Sequence, residues 1–344
     1  MSLELRIKSL EGVRNVLHQF IKNEVTDTPS YSEFENSLRL AEIKNPWFTK
    51  KNILTALEYW DRVLTSNTLF SWLEKYSYKD VQTKTIGLVL AGNIPMVGLH
   101  DCLCVLLLGF KAKIKLSSKD NVLIPFILNL WKEFCDELEF EFVEKLEKFD
   151  AVITTGSNNT ARYFEYYFKD IPHIIRKNRT SAAILTGNES EDELIKLSND
   201  IFTYFGLGCR SVTQVFIPEN FDLDRLFQSF IQQQDVIHHN KYANNYDYNK
   251  AIYLMNNDQF WDNNFIMLKN SEELYSPIGV LYFTRYDTLL SVESFMNSHS
   301  DKIQCIVSGS HAFPFKTIPF GESQNPDISE YADGIDTINF LLSI

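Results

Sequence analysis

The sequence predicts an α/β protein built on a parallel sheet, and two observations carry that prediction. From Thr85 onward, short strand-like runs at 86–91, 112–116, 151–154 and 182–185 alternate with longer helix-like patterns. Strands separated by helices give parallel sheets with both faces covered. The first run, Ile86-Gly87-Leu88-Val89-Leu90-Ala91, is also apolar throughout, as a strand buried on both faces is.

Before this region the pattern is helical. Leu3, Ile7, Leu10, Val13, Leu17 and Phe20 recur at steps of three and four residues, which makes one apolar stripe for a core. Pro29, within 26–32, breaks that helix, and further helices are expected over 34–41, 53–63 and 69–76. After the first strand, Gly92-Asn93-Ile94-Pro95 reads as a turn. Pro95 suits a first helical turn, so a buried helix is expected over 96–108 with Gly109 as its stop. Helices are also expected over 122–138 and 161–168, the latter entered through Gly156-Ser157-Asn158-Asn159. The polar, Asn-rich stretch 238–249 reads as a loop.

Composition excludes several classes. The chain has 344 residues, 44% of them hydrophobic, and a net charge of −12, so a large core is available and a nucleic-acid binder, which needs a basic face, is not expected. The longest apolar run, 102–110, falls far short of a membrane span, which needs about 20 residues. No apolar signal core opens the chain, and a cytoplasmic location is expected. The five cysteines form neither a disulfide framework nor a metal-ligand spacing. No metal is expected: on a helix, positions two apart in His100-x-Cys102-x-Cys104 face different ways.

Several residues could carry chemistry. The glycine-rich dinucleotide fingerprint is absent. Gly156-Ser157, where a strand ends and a helix begins, could hold an anion on helix N-terminal amides or be an ordinary capped turn. Cys209 follows Gly206-Leu207-Gly208 and precedes Arg210. Glycines allow close approach of a ligand, and a neighbouring cation favours thiolate. The alternative is an inert small hydrophobe.

These fragments line up with a family. The chain resembles the aldehyde dehydrogenase superfamily, and within it the acyl-thioester-reductase branch that includes the fatty-acid reductase of bacterial luminescence. Asn93-Ile94-Pro95 is similar to the N-[FY]-P turn, Lys115-Leu116-Ser117 to K-P-S, Gly156-Ser157 to the G-S turn, and Gly208-Cys209 to the loop of the catalytic cysteine. Glu273-Leu274-Tyr275-Ser276-Pro277 resembles E-[IL]-F-G-P, Pro319-Phe320-Gly321 the late P-F-G motif, and Tyr331-Ala332-Asp333-Gly334-Ile335-Asp336-Thr337 a C-terminal signature of the branch. The motifs stand in the family's order.

The resemblance implies an aldehyde-dehydrogenase-like fold with a Rossmann-type cofactor domain and an α/β catalytic domain, the active site lying at their junction. The expected divisions are an N-terminal helical segment (1–80) packed on the cofactor domain, the dinucleotide-binding domain (81–205), the catalytic-cysteine domain (206–315) and a C-terminal segment (316–344). It implies that Cys209 is the nucleophile and that Asn93 stabilises the oxyanion. Gly156 and Ser157 would lie beside the cofactor pyrophosphate, and Glu273 would grip the nicotinamide ribose. Lys115 and Ser117 would hold the adenosine ribose, with Ser118 and Lys119 meeting a 2′-phosphate, so the expected cofactor is NADP(H).

One departure directs the reaction. The superfamily's general-base glutamate has no counterpart, since 171–188 contains no Asp or Glu. Without a base to activate water, acyl transfer and reduction make better sense than hydrolysis. The expected activity is therefore NADPH-dependent reduction of a long-chain acyl-CoA or acyl-protein thioester to a fatty aldehyde. The alternatives are a CoA-acylating aldehyde dehydrogenase running toward the thioester and a non-catalytic acyl-binding subunit of a larger complex. An acyl-carrier or acyl-transferring enzyme is the expected partner. The short chain leaves the superfamily's homo-oligomer and a monomer both open. An acidic protein needs a local basic patch to accept an acidic donor. Arg176, Lys177 and Arg179, with Lys169 nearby, are the densest cluster and the expected donor-binding residues. His173 is the one residue in 171–188 able to act as a base near neutral pH.

Overall fold

The computed structural model describes residues 2–22, 29–78, 83–310 and 313–344, without the side chains of Pro29, Ser30 and Asn158. The expected break at 26–28 lies outside the described residues. The chain divides into two compact units, Met1–Asn178 with Asp327–Ile344, and Arg179–Pro326.

In the first unit, α1 (Leu3–Lys22), α2 (Pro29–Lys44), α3 (Lys50–Val63) and α4 (Ser66–Leu73) precede the sheet. The predicted stripe of α1 is buried at Ile7, Leu10, Val13, Leu17 and Phe20. Thr49 and Thr65 cap α3 and α4 by accepting the amides of Asn52 and Thr68, which supplies partners for otherwise orphaned helix-end donors. The strands are β1 (Thr85–Val89), β2 (Lys111–Lys115), β3 (Phe140–Phe142), β4 (Ala151–Thr155) and β5 (His173–Arg176), and they form an all-parallel sheet in the order β3-β2-β1-β4-β5. Its connections run through α5 (Leu99–Leu107), α6 (Leu123–Phe134) and α7 (Asn158–Tyr167). Trp131 of α6 is fully buried and donates to Ser9 Oγ of α1 at 2.8 Å, so the N-terminal helices are integral to this core.

The second unit holds β6 (Thr180–Ile184), β7 (Val212–Pro218), β8 (Trp261–Asp262), β9 (Met267–Asn270), β10 (Val280–Tyr286) and β11 (Ile303–Val307). Their order is β11-β6-β7-β10-β9-β8, parallel except where β8 meets β9. Its helices are α8 (Glu191–Phe202), α9 (Asp224–Phe230), α10 (Asn240–Asn256) and α11 (Leu289–Ser298); α12 (Thr337–Ser343) belongs to the first unit.

The structure departs from the sequence reading at several points. β3 and β5 were not expected. The helix expected from Met96 starts at Leu99 because Met96 adopts a left-handed φ of 56°, which no α-helix continues. The stretch read as a loop at 238–249 is largely α10. His239 Nδ1 caps it by accepting the Tyr242 amide, and Tyr242, Tyr246, Asn249 and Tyr253 form its buried face at helical spacing. The boundary expected at 205/206 falls at 178/179, because β6 pairs with β7 and β11 rather than with the first sheet. The C-terminal segment expected as one piece divides at 326/327: Phe320 is buried in the second unit's core, while Ile338 and Leu341 are buried in α12 of the first.

Candidate functional site

In the first unit, β1 and β4 are neighbours, with β2 and β5 on their outer sides. Connections leave β1 and β4 toward opposite edges, so the loops after these strands open at the point where strand order reverses. That crevice, at the carboxyl ends of a doubly wound sheet, is where such folds bind ligands. The loop after β1 carries Asn93, half-buried, and the loop after β4 carries Gly156 and Ser157. Ser157 Oγ caps α7 by accepting the Thr160 amide at 3.3 Å, and the Gly156 amide donates to Arg176 O. Lys115 ends β2 with its side chain exposed, and Ser118 and Lys119 are exposed beyond it. Ser117 Oγ accepts the Lys119 amide at 3.2 Å, and Asn45 Nδ2 donates to Lys119 O at 3.1 Å. A sheet in this order, cations after β2 and a capped helix N-terminus after β4 fit a dinucleotide: the lysines suit ribose and phosphate oxygens, and the α7 N-terminus suits a pyrophosphate.

In the second unit, Cys209 stands half-buried in a tight turn closed by the Ser211 amide donating to Gly208 O at 3.0 Å. Ser211 Oγ accepts from the Gly208 amide at 3.2 Å, and Ser181 Oγ of β6 donates to Cys209 O at 3.1 Å. The approach to this turn is strained. Tyr204, Phe205 and Gly206 have φ of 55°, 57° and 76°, a region natural for the glycine but costly for the two aromatics; such strain collects at functional sites. Phe205 packs on the His239 ring at 4.5 Å. A cavity of about 30 Å³ is lined by Phe205, Gly206, Thr213, Tyr242, Ser276 and Pro277, so the strained segment and the 273–277 motif share one small space. Thr213 Oγ1 donates to Leu274 O at 2.5 Å. That bond anchors buried Leu274 and leaves Glu273 beside it exposed. A larger cleft of about 770 Å³, lined by Phe227, Ile231 and His238 among others, contains none of the expected site residues.

The other cysteines differ from Cys209. Cys102, Cys104 and Cys135 are buried, and burial pushes the Cys102 and Cys104 thiols up. Cys305 contacts Ser181 Oγ at 3.1 Å, and burial raises its thiol to about 11 against the opposing charge of Arg210. Among the described residues, no group of three or more His, Cys, Asp or Glu side chains is placed to hold a metal ion, and no helix is long and apolar enough to cross a membrane.

The expected donor-binding cluster does not form. Arg176 is only 3% exposed. Its guanidinium pairs with Asp101 and donates to Ala332 O and Thr337 Oγ1. Burial opposes the charge, but Asp101 and Asp333 raise the Arg176 pKa overall. Lys177 is exposed and paired with Glu165 at 2.8 Å. Arg179 donates to Ser300 O and Ile303 O within the second unit. Adjacency in sequence therefore does not make these residues alike: Arg176 ends β5 with its guanidinium buried on Asp101, Lys177 follows the strand with its side chain exposed, and Arg179 is bonded to carbonyls of the second unit. His173 is exposed, with Nδ1 against Phe168 O and Ile171 O.

Besides Asp101, sequence reasoning missed the buried acids Asp200 and Asp120. Asp200 of α8 accepts the amides of Gly321 (2.6 Å) and Ser323 (2.9 Å), which fixes the Pro319-Phe320-Gly321 segment. Ser323 O in turn accepts from Arg210, next to Cys209. Asp120 accepts the Met96 amide at 2.9 Å. Burial raises both carboxyls to about 6. The only sequence signal was a lone acid beside a motif or on an otherwise apolar helix face.

No protein-family model matches the chain, and no curated protein matches it. Solved structures do. Aldehyde dehydrogenase 21 from Physcomitrella patens, solved with succinate, matches at a TM-score of 0.67 and 11% identity over 100% of this chain and 84% of its own. Aldehyde dehydrogenase C from Pseudomonas syringae, a mutant solved with NAD+ and octanal, matches at 0.63 and 12% identity over 90% and 73%. A Mycobacterium tuberculosis aldehyde dehydrogenase complexed with NAD+ matches at 0.61 and 12% identity over 86% and 71%. The chain thus has the aldehyde dehydrogenase fold.

Proposed function

We propose that this chain is an NADPH-dependent reductase of long-chain acyl thioesters, carried by CoA or by a protein, that releases a fatty aldehyde through an acyl-cysteine at Cys209. The observation that carries the reading is the placement of Cys209: it is half-buried on a tight turn after a left-handed aromatic pair, whereas Cys102, Cys104 and Cys135 are buried. The thiolate of Cys209 attacks the thioester carbonyl carbon, the carbonyl π electrons move onto oxygen, and the donor thiol leaves as the carbonyl re-forms. The side-chain amide of Asn93 and the backbone amide of Cys209 stabilise the developing oxyanion, a role worth about 3 kcal/mol for each donor. Lys115, Ser117, Ser118 and Lys119 hold the adenosine ribose and its 2′-phosphate, the Gly156-Ser157 turn holds the pyrophosphate, and Glu273 orients the nicotinamide ribose. When bound, the reduced nicotinamide supplies the hydride that takes the acyl group to the aldehyde level. Cys209 then leaves as thiolate.

Reduction is favoured over hydrolysis by the acids near this segment. The first carboxylate after 171–188 is Glu189, which is buried and accepts from the Thr186 amide, Thr186 Oγ1 and the Gly187 amide. It is committed to its own turn rather than free to activate water. The test is to incubate the protein with radiolabelled long-chain acyl-CoA, then add NADPH. Label on Cys209, followed by NADPH oxidation and aldehyde release, is expected, and Cys209→Ala is expected to lose both. Labelling without aldehyde release would leave an acyl-binding protein. Thioester formation from aldehyde, NADP+ and CoA without the reverse would assign the CoA-acylating direction.

A further inference from the structure

The Asn93 turn is held from below by a residue that no motif contains. Asp120 is 3% exposed and lies just past the 115–119 segment. Its Oδ2 accepts the Met96 amide at 2.9 Å. Met96 takes up a left-handed φ of 56°, a conformation a long side chain adopts only when its surroundings impose it. The other end of the turn rests on the same support. A Cβ built on Gly92 would stand 2.8 Å from Ser117 Oγ and 2.9 Å from the Asp120 amide nitrogen, so the backbone at Gly92 lies directly against the 117–120 turn. That turn is closed by the Asp120 amide donating to Ser117 O at 3.1 Å. Asn93 thus sits between two points, Gly92 and Met96, that both bear on Asp120 and its turn. The amides of Leu123 and Ile124 favour the Asp120 charge, while its Oδ1 is buried with no hydrogen-bond partner. A buried carboxylate left short of one bond is costly to keep, and here its completed bond goes to the turn that carries Asn93.

We infer that Asp120 is a positioning residue for acyl transfer: its bond to the Met96 amide aims the Asn93 side chain. The inference rests on the reading above for the role of Asn93 and goes beyond it in making that role depend on Asp120. An oxyanion donor acts only when held where charge develops, so loosening the turn should cost acylation and spare reactions that build no oxyanion.

The experiment compares wild type, Asp120→Ala, Asn93→Ala and the double variant, all without cofactor. Single-turnover labelling of Cys209 by radiolabelled acyl-CoA reports acylation. Alkylation of Cys209 by iodoacetamide reports thiol reactivity without an oxyanion, and the melting temperature reports the fold. Asp120→Ala, which removes the acceptor that an asparagine would keep, should slow acylation about tenfold or more and leave alkylation within about twofold. Added to Asn93→Ala it should cost little more, because the two act as one unit. Gly92→Ala, which drives the turn off its support without touching the carboxylate, should show the same selective loss. Additive losses, or equal losses of acylation and alkylation, would overturn the inference and leave Asp120 a structural acid. Hydrogen exchange separates this failure from failure of the functional reading. Asp120→Ala should raise exchange at 92–98 even if the wild type takes no acyl label; unchanged exchange there would overturn the inference by itself.

Discussion

Asp101 and Arg176, 75 positions apart, face each other as a two-pronged buried ion pair, with Nη2 to Oδ1 at 2.8 Å and Nε to Oδ2 at 3.3 Å. Asp101 lies in the first turn of α5 and Arg176 ends β5. The same guanidinium donates to Thr337 Oγ1 at 2.8 Å and to Ala332 O at 2.6 Å. The C-terminal segment is thereby tied to the first unit, and further bonds from Trp72 and Tyr76 to Tyr331 and from Tyr76 to Asp336 reinforce the tie. The 331–337 signature is therefore a fastening of the chain's end.

Removing one partner of this pair strands the other in the core. Arg176→Met should destabilise the protein by about 3–5 kcal/mol, and pairing it with Asp101→Leu should recover part of the loss. Lys177→Glu, at an exposed ion pair, should change stability far less than Arg176→Met. Urea unfolding monitored by tryptophan fluorescence measures all three. Equal effects at Arg176 and Lys177 would restore the view of 176–179 as one surface cluster.

The buried acids give a pH signature with a defined sign. Asp120 and Asp200 rise from 3.8 to about 6 in the fold. Between these values the folded protein holds more protons than the unfolded chain, so their contribution to stability grows on acidification and is lost as pH rises through about 4 to 6. Each is worth up to about 3 kcal/mol across that window. Relative to Asp200→Asn, wild type should gain stability between pH 7 and pH 4.5. Parallel pH profiles for the two proteins would refute it.

The acyl-enzyme should be slow to hydrolyse. Glu189 is engaged with Thr186 and Gly187, and 171–188 has no acid of its own. Labelled Cys209 should persist for many times the turnover interval when NADPH is withheld, and aldehyde with NADP+ should yield little free acid. Rapid release of fatty acid would instead identify an ordinary dehydrogenase.

Glu273 should act on the hydride step. It is exposed beside buried Leu274, whose carbonyl is bonded to Thr213. Glu273→Gln should leave acyl labelling of Cys209 unchanged and enlarge the primary isotope effect from deuterated NADPH. A variant that loses labelling and keeps its isotope effect would contradict the assignment.

The sequence by itself determined the parallel α/β architecture, the apolar face of α1, the main strand-and-helix alternation after Thr85 and the candidate residues Asn93, Cys209 and Glu273. These were legible because a strand or helix declares itself in local periodicity, and a motif is contiguous by definition. Only the tertiary structure decided which sheet β6 would join, that Arg176 would be buried against Asp101 rather than solvated beside Lys177, and that 238–249 would be a helix with a tyrosine face. It also brought Asp120 under the Asn93 turn and Asp200 under the Pro319-Phe320-Gly321 segment. The physical reason is that the state of a polar side chain depends on its partner. Arg176 meets Asp101 75 positions away and Thr337 161 positions away, and Asp200 meets Gly321 121 positions away. No local pattern encodes such a meeting: an arginine before a lysine reads the same in sequence whether water or a buried carboxylate awaits it.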